Sequence, residues 1–263
     1  MKCWKRSGVA GVAAMALATA SASVLAKGGF VAAGVGFAPD YEGGDDYAAF
    51  PTLLGRYNFA AGRFVALVDG ADAARSWRLV MNLVPNSPWE LGPALGFRYE
   101  RNDPDNDRVS RMDDIDWAIE AGGFIKYNGT SWFAALGASA DISDTYGGYI
   151  ADLQAGYKQE VTSDFGLTYT ASIAYADDEY MEEYFGVDGS DAASSGLPAY
   201  DADGGFKDYG LGISANYKFT NTWGLIAGFT YHRMLGDAED SPLVNDEGDK
   251  NQYKASLALS YSF

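Results

Sequence analysis

The last eleven residues of the chain alternate without a break. Tyr253, Ala255, Leu257, Leu259, Tyr261 and Phe263 are apolar or aromatic, while Lys254, Ser256, Ala258, Ser260 and Ser262 between them are mostly small or polar. A period of two places successive side chains on opposite faces of a strand. Strands of ordinary globular proteins run about five or six residues, whereas a tilted strand crossing a bilayer needs about nine to eleven. The segment therefore predicts a membrane-crossing strand with one face to lipid and the other to a lumen.

The pattern recurs between Phe165 and Tyr175, between Tyr209 and Phe219, and from Trp223 onward. Strands are predicted near 29–37, 49–59, 63–69, 76–83, 89–101, 116–127, 131–141, 148–160, 164–177, 206–219, 222–235 and 250–263. The fold class this implies is all-β, a transmembrane antiparallel β-barrel of about 12 strands, or 10 if the short segments near 63–69 and 76–83 fail. The links alternate in length. Ala60-Ala61-Gly62, Pro85 to Pro88, Asn128-Gly129-Thr130, Val161-Thr162-Ser163 and Thr220-Asn221 are short, and 102–115, 178–205 and 236–249 are long. Short turns on one rim and long loops on the other describe an outer-membrane barrel. Of the 36 acidic residues, 31 fall in the longer links and the strand ends beside them. A soluble sandwich has no reason to segregate charge in this way. Trp77, Trp89, Trp117, Trp132 and Trp223 lie within two residues of a predicted strand end, as interfacial girdles require. Pro93 falls inside a strand and cannot donate to the ladder, so a bulge is expected there.

Lys2, Lys5 and Arg6 precede a small, apolar stretch from Val9 to Ala22, with small residues at Ala20-Ser21-Ala22 and Val24-Leu25-Ala26. This predicts a signal peptide over 1–26, or cut after residue 22, followed by a single barrel domain over 27–263. The only cysteine, Cys3, and three cations leave with it, so the exported chain carries 16 Lys+Arg against 36 Asp+Glu. With one Cys and one His there is no disulfide framework and no Cys/His zinc site. A chain this acidic is a poor nucleic-acid binder, because phosphate contacts need Lys and Arg.

Tyr180-Met181-Glu182-Glu183-Tyr184-Phe185-Gly186-Val187 resembles the MipA/OmpV family of outer-membrane proteins. So do Met234-Leu235-Gly236-Asp237, Ser241-Pro242-Leu243-Val244, Pro39-Asp40-Tyr41-Glu42-Gly43, Gly92-Pro93, Glu120-Ala121-Gly122 and the closing Tyr261-Ser262-Phe263. The resemblance runs through the mature chain in order. It implies a non-enzymatic outer-membrane barrel acting as a scaffold between a murein lytic transglycosylase and a penicillin-binding protein in peptidoglycan remodelling. It carries over no catalytic residue, metal or cofactor. The expected surroundings are outer-membrane lipid, lipopolysaccharide and the barrel assembly machinery. The alternative is a small cation-preferring channel, or a surface receptor or adhesin using the acidic loops.

Alternation places Arg56, Arg78, Glu90, Arg98, Glu100, Glu120, Lys126, Asp152, Lys158 and Lys218 on the lumen side. Arg98, Glu120, Asp152 and His232 are the candidate lumen or structural residues, and inward ion pairs bracing the barrel are the expected use. A Ser–His hydrolase is set aside, because His232 points inward, away from acyl chains. Asp201-Ala202-Asp203-Gly204 opens like an EF-hand but lacks the later ligands. Tyr261 and Phe263 are the expected assembly signal. In the longest loop, Tyr180, Tyr184, Phe185 and Gly186 are expected to fold over the barrel mouth, and Ser190 to Asp203 to remain mobile.

Overall fold

The computed structural model describes residues 28–263, so the predicted signal peptide and its cleavage boundaries lie outside the described residues. Twelve antiparallel strands form one closed sheet: β1 (Gly29–Pro39), β2 (Tyr47–Asn58), β3 (Phe64–Asp69), β4 (Ser76–Asn82), β5 (Trp89–Arg98), β6 (Ala118–Asn128), β7 (Trp132–Asp141), β8 (Tyr149–Glu160), β9 (Phe165–Ala176), β10 (Gly205–Lys218), β11 (Trp223–Met234) and β12 (Asn251–Ser262). The count is the predicted twelve, and both short segments are strands. Every strand pairs with its sequence neighbours, and β12 closes on β1 from Phe30–Ser262 to Phe37–Ala255. At that seam Gly29 N–H donates to the Phe263 carbonyl at 2.9 Å and Phe263 N–H returns the bond at 3.1 Å. Closure satisfies the backbone groups that an open edge would leave bare in hydrocarbon. No helix among the described residues is long and apolar enough to cross a membrane; the crossing elements are strands.

The outer wall is apolar. Val31, Val35, Leu53, Leu95, Leu136, Leu153, Leu211, Leu257 and Leu259 are all exposed there, which in water would be an unstable surface and in lipid is the required one. Trp89, Trp132 and Trp223 stand at the short-turn rim, and Trp89 and Trp223 pack edge-on against Tyr127 and Tyr261 at 4.9 and 5.0 Å. Trp77 and Trp117 mark the opposite rim, where both touch Tyr99 at 5.4 and 4.7 Å. Strand glycines allow close approach on the inside: a Cβ at Gly34 would run into the Leu257 carbonyl, and one at Gly122 into the Ala138 carbonyl.

Pro93 causes no bulge. It pairs with Gly123 of β6 in unbroken register. Partnering with β4 ends one residue away, at Val80–Ala94, so the missing donor falls where that ladder has stopped. The register shift lies instead on β10, between Phe206 and Asp208.

The longer links carry the helices: α1 (Asp178–Phe185), α2 (Gly189–Ser195), α3 (Gly236–Asp240) and α4 (Pro242–Asn245). Asp177 caps α1 by accepting from Tyr180 N–H, and Asp188 caps α2 by accepting from Asp191 N–H. The stretch from Ser190 to Asp203, expected to remain mobile, is instead folded into the roof of the barrel. Ser195 and Leu197 are buried, Val187 and Tyr200 form a β-bridge, and Gly196 takes the left-handed turn that ends α2. The first and last long links meet across the seam. Asp249 N–H donates to the Gly43 carbonyl, Gly43 N–H to the Gln252 side chain, and Gly44 bridges Gly248.

A barrel closed by twelve continuous ladders should stay folded in cold detergent and migrate anomalously on gels until boiled. Gly34→Val, which forces a side chain against the β12 backbone, should leave mostly the unfolded band, as would deletion of Phe263, which removes two seam hydrogen bonds. Normal heat-shifted bands for both variants would count against this reading of the seam.

Candidate functional site

The site is the interior of the barrel at its long-loop end. Two apolar clusters roof it. One joins Tyr146, Ile150, Tyr180, Met181, Tyr184, Phe185, Met234 and Val244; the other joins Tyr41, Val109, Met112, Val187, Leu197 and Leu243. The α1 aromatics predicted to fold over the mouth do so: Tyr180 and Phe185 are fully buried, and Tyr180 stacks on Tyr184 at 4.5 Å. Gly186 follows as the C-cap of α1, its N–H donating to the Glu182 carbonyl at 2.9 Å. Glycine is required there because a Cβ would collide with that carbonyl.

Beneath the roof lies a layer of buried charge. Arg98 Nη1 meets Asp72 Oδ2 and Arg98 Nε meets Glu120 Oε1, both at 2.8 Å. Lys207 is paired with Glu42 and with Asp208, the latter at 2.7 Å, and stands 3.7 Å from Asp72. His232 Nδ1 lies 3.0 Å from Asp208 Oδ1, its only hydrogen-bond partner among the described residues. Neutral donors fill the remaining lone pairs. Tyr180 donates to Glu42 at 2.7 Å, Tyr146 to Glu120 at 3.0 Å and Ser139 to Glu120 at 2.8 Å. Arg98 and Lys207 also face the Tyr180 ring, at 5.1 and 5.7 Å from its centre. Lys254 Nζ anchors the link between β3 and β4 by donating to the Asp72 and Ala74 carbonyls at 2.9 and 3.2 Å. Burial alone would raise the pKa of the Asp72 carboxyl, but Arg98, Lys207 and Lys254 hold it well below the ordinary carboxylate range.

Of the candidates read from sequence, Arg98, Glu120 and His232 lie in this layer, and Asp152 is joined to Arg78 further along the lumen. Tyr261 and Phe263 stack on one another at 6.4 Å beside the seam. Alternation missed four members. Glu42 and Asp72 come from links, where period two says nothing. Lys207 and Asp208 are consecutive, so a regular strand would send one of them outward. The β10 register shift turns both inward, and both are completely buried. Asp201 and Asp203 take no part in this charged layer. Asp203 N–H donates to Asp237 Oδ2 and Gly204 N–H to Asp178 Oδ1, at 2.8 and 2.7 Å, which ties the acidic links to one another.

Between this layer and the short turns the lumen holds a cavity of about 460 Å³, lined by Arg56, Arg78, Glu90, Lys126 and Asp152 with Phe64 and Phe124.

A closed, twelve-stranded antiparallel barrel with an apolar outer wall and a charged interior defines an outer-membrane β-barrel protein. The chain belongs to the family described as "MltA-interacting protein MipA", whose pattern matches residues 31–263. It is 24% identical over 152 residues to the putative outer membrane protein YiaT of Escherichia coli K12, covering 57% of this chain and 61% of that one. It is 25% identical over 149 residues to the MltA-interacting protein of the same strain, covering 56% and 58%. The chain thus spans about three fifths of the length of these curated relatives. Among solved structures, the NanC porin superposes with a TM-score of 0.51 at 8% identity, over 89% of this chain and all of that one, a likeness of fold alone. The family and fold are those of outer-membrane barrel proteins rather than of known enzymes.

Removing one partner from a buried ion pair costs about 3–5 kcal/mol, because the other charge is left uncompensated. Asp72→Asn should therefore lower the unfolding midpoint and expose Tyr180 and Tyr184 to quenchers, whereas Glu100→Gln at the rim should do neither. The depressed folded-state pKa of Asp72 fixes the sign with pH: its stabilisation is complete above the ordinary carboxylate value and is lost as pH falls toward the folded value. Denaturant midpoints measured down the acid range on wild type and Asp72→Asn should converge.

Proposed function

We propose that this protein is a non-enzymatic scaffold of the outer membrane that holds a murein lytic transglycosylase beside a penicillin-binding protein during peptidoglycan remodelling. The observation that carries the reading is the packed cover over the long-loop end of the barrel. A roof of packed aromatics over a layer of buried ion pairs suits a rigid anchor more than a conduit. The relative called MltA-interacting protein supports the transglycosylase as a partner. In this arrangement the short turns face the periplasm and the acidic, helical links face outward, beside lipopolysaccharide. The barrel assembly machinery inserts the chain after export removes residues 1–26.

The rival is a small cation-preferring channel or a surface receptor. Its support is the excess of acids on the long-loop rim, which would gather cations.

Two experiments separate the readings. Barrel solubilised from membranes should retain a purified lytic transglycosylase and a bifunctional penicillin-binding protein together, and the same preparation should give no steady conductance in planar bilayers. Stable conductance without capture would replace the scaffold by the channel. Orientation is read from Ala193→Cys, an exposed position on α2. An impermeant maleimide should label it on intact cells, and labelling only after the outer membrane is broken would invert the topology.

A further inference from the structure

The lower half of the lumen has a different electrostatic character from the layer above it. Beneath the roof, Asp72, Glu42, Glu120 and Asp208 each lie within 4 Å of Arg98 or Lys207. In the lower cavity the acids are partly committed: Asp152 is bound to Arg78, and Glu90 lies 3.8 Å from Arg56. Asp69, at the upper edge, completes the acidic lining. Of the lining cations Arg56, Arg78 and Lys126, only the two arginines lie within 4 Å of a carboxylate. Lys126 and Lys158 have no carboxylate within 4 Å and no hydrogen-bond acceptor among the described residues. Instead both ammoniums face the Phe133 ring, at 4.4 and 5.5 Å from its centre. Arg56 is likewise stacked on Phe64 at 3.5 Å, and Arg78 Nη2 is buried without an acceptor. Gathering like charges around two aromatic rings costs energy unless an anion joins them.

The rest of the lining mixes Ser139, Gln154, Ser214 and Asn216 with an apolar wall. Phe64, Val80, Ala94 and Phe124 face the same space as Arg56 and Lys126. A volume of about 460 Å³ is far larger than a bare inorganic anion requires, and it falls within the range of small-molecule sites. Inorganic phosphate would satisfy the cations and leave the apolar wall facing water.

We infer that this cavity binds an amphipathic organic anion, a carboxylate on an apolar body. The carboxylate sits between Lys126 and Arg56, with Lys158 beyond them across the Phe133 ring, and the body lies against Phe64 and Phe124. Glu90 competes with the ligand for Arg56. The site does not depend on the scaffold reading. It also bears on the channel reading, since a cationic inner half opposes the cation preference of the acidic rim.

The test uses the full-length barrel purified in non-ionic detergent and 4-phenylbutyrate as the probe, followed by calorimetry. One site should be filled. Butyrate, which lacks the apolar body, and 4-phenylbutanol, which lacks the charge, should each bind at least ten-fold more weakly. Lys126→Gln/Lys158→Gln should lose at least ten-fold, a change of about 1.4 kcal/mol, within the range for charge-assisted hydrogen bonds. Glu90→Gln should tighten binding, an effect that misfolding cannot imitate. Dodecanoate carried in from liposomes and counted on the repurified barrel distinguishes a bilayer source from an aqueous one. Either source supports the site provided the double variant loses it. Equal affinity in wild type and double variant, equal affinity for the acid and the alcohol, or binding of neither probe would overturn the proposal.

Discussion

The Asp72 carboxylate is the pin on which the closed end of the barrel turns. It accepts from Arg98 of β5, lies within reach of Lys207 of β10, and belongs to a link whose carbonyls are held by Lys254 of β12. Three distant strands are thereby tied to one short loop. Burying such a group is favourable only when every charge finds a partner. Glu42 of the first link, Glu120 of β6 and Asp208 of β10 complete that pairing. The apolar roof follows from it: Tyr180 both donates to Glu42 and offers its ring to Arg98 and Lys207. The aromatic cluster therefore sits on the ions and does not merely cover them.

Much of the barrel was legible because lipid imposes a strict rule. A strand with hydrocarbon on one side must alternate, and the alternation of β9, β10 and β12 gives strand, face and approximate length together. Even the six-residue β3 and seven-residue β4 were found, although neither is long enough to be diagnostic alone. The interior end was less legible. Its chemistry comes from residues that alternation does not govern: Glu42 and Asp72 in links, and Lys207 beside Asp208 at a register shift. Pro93 was misjudged for a related reason. Its missing donor costs nothing where the neighbouring strand has already stopped, and that depends on β4, not on the sequence around the proline. The stretch from Ser190 to Asp203 was misjudged because polar composition alone does not reveal a capped helix held down by Leu197.

The two halves of the lumen divide the charge unequally. Above, Glu42, Asp72, Glu120 and Asp208 share Arg98 and Lys207 within 4 Å, which gives rigidity. Below, Lys126 and Lys158 share a phenyl ring and little else. A protein that only needed bracing would gain nothing from unpaired ammoniums there. A barrel with a rigid, paired end and a charged, cavity-bearing end has room for an anchoring role and a binding role in one chain.

The seam contacts also constrain the order of events during assembly. The roof takes Tyr41 and Glu42 from the first link and Leu243 and Val244 from the last, and Tyr41 donates to the Leu243 carbonyl across 202 positions of sequence. These segments are neighbours only after β12 has found β1. A chain still open at that edge cannot pack its roof, and its unmatched Glu42 and Lys207 would remain hydrated. Completion of the lid is thus a late, nonlocal event that records closure of the cylinder, and burial of Tyr41 would serve as a built-in clock for the final step of insertion.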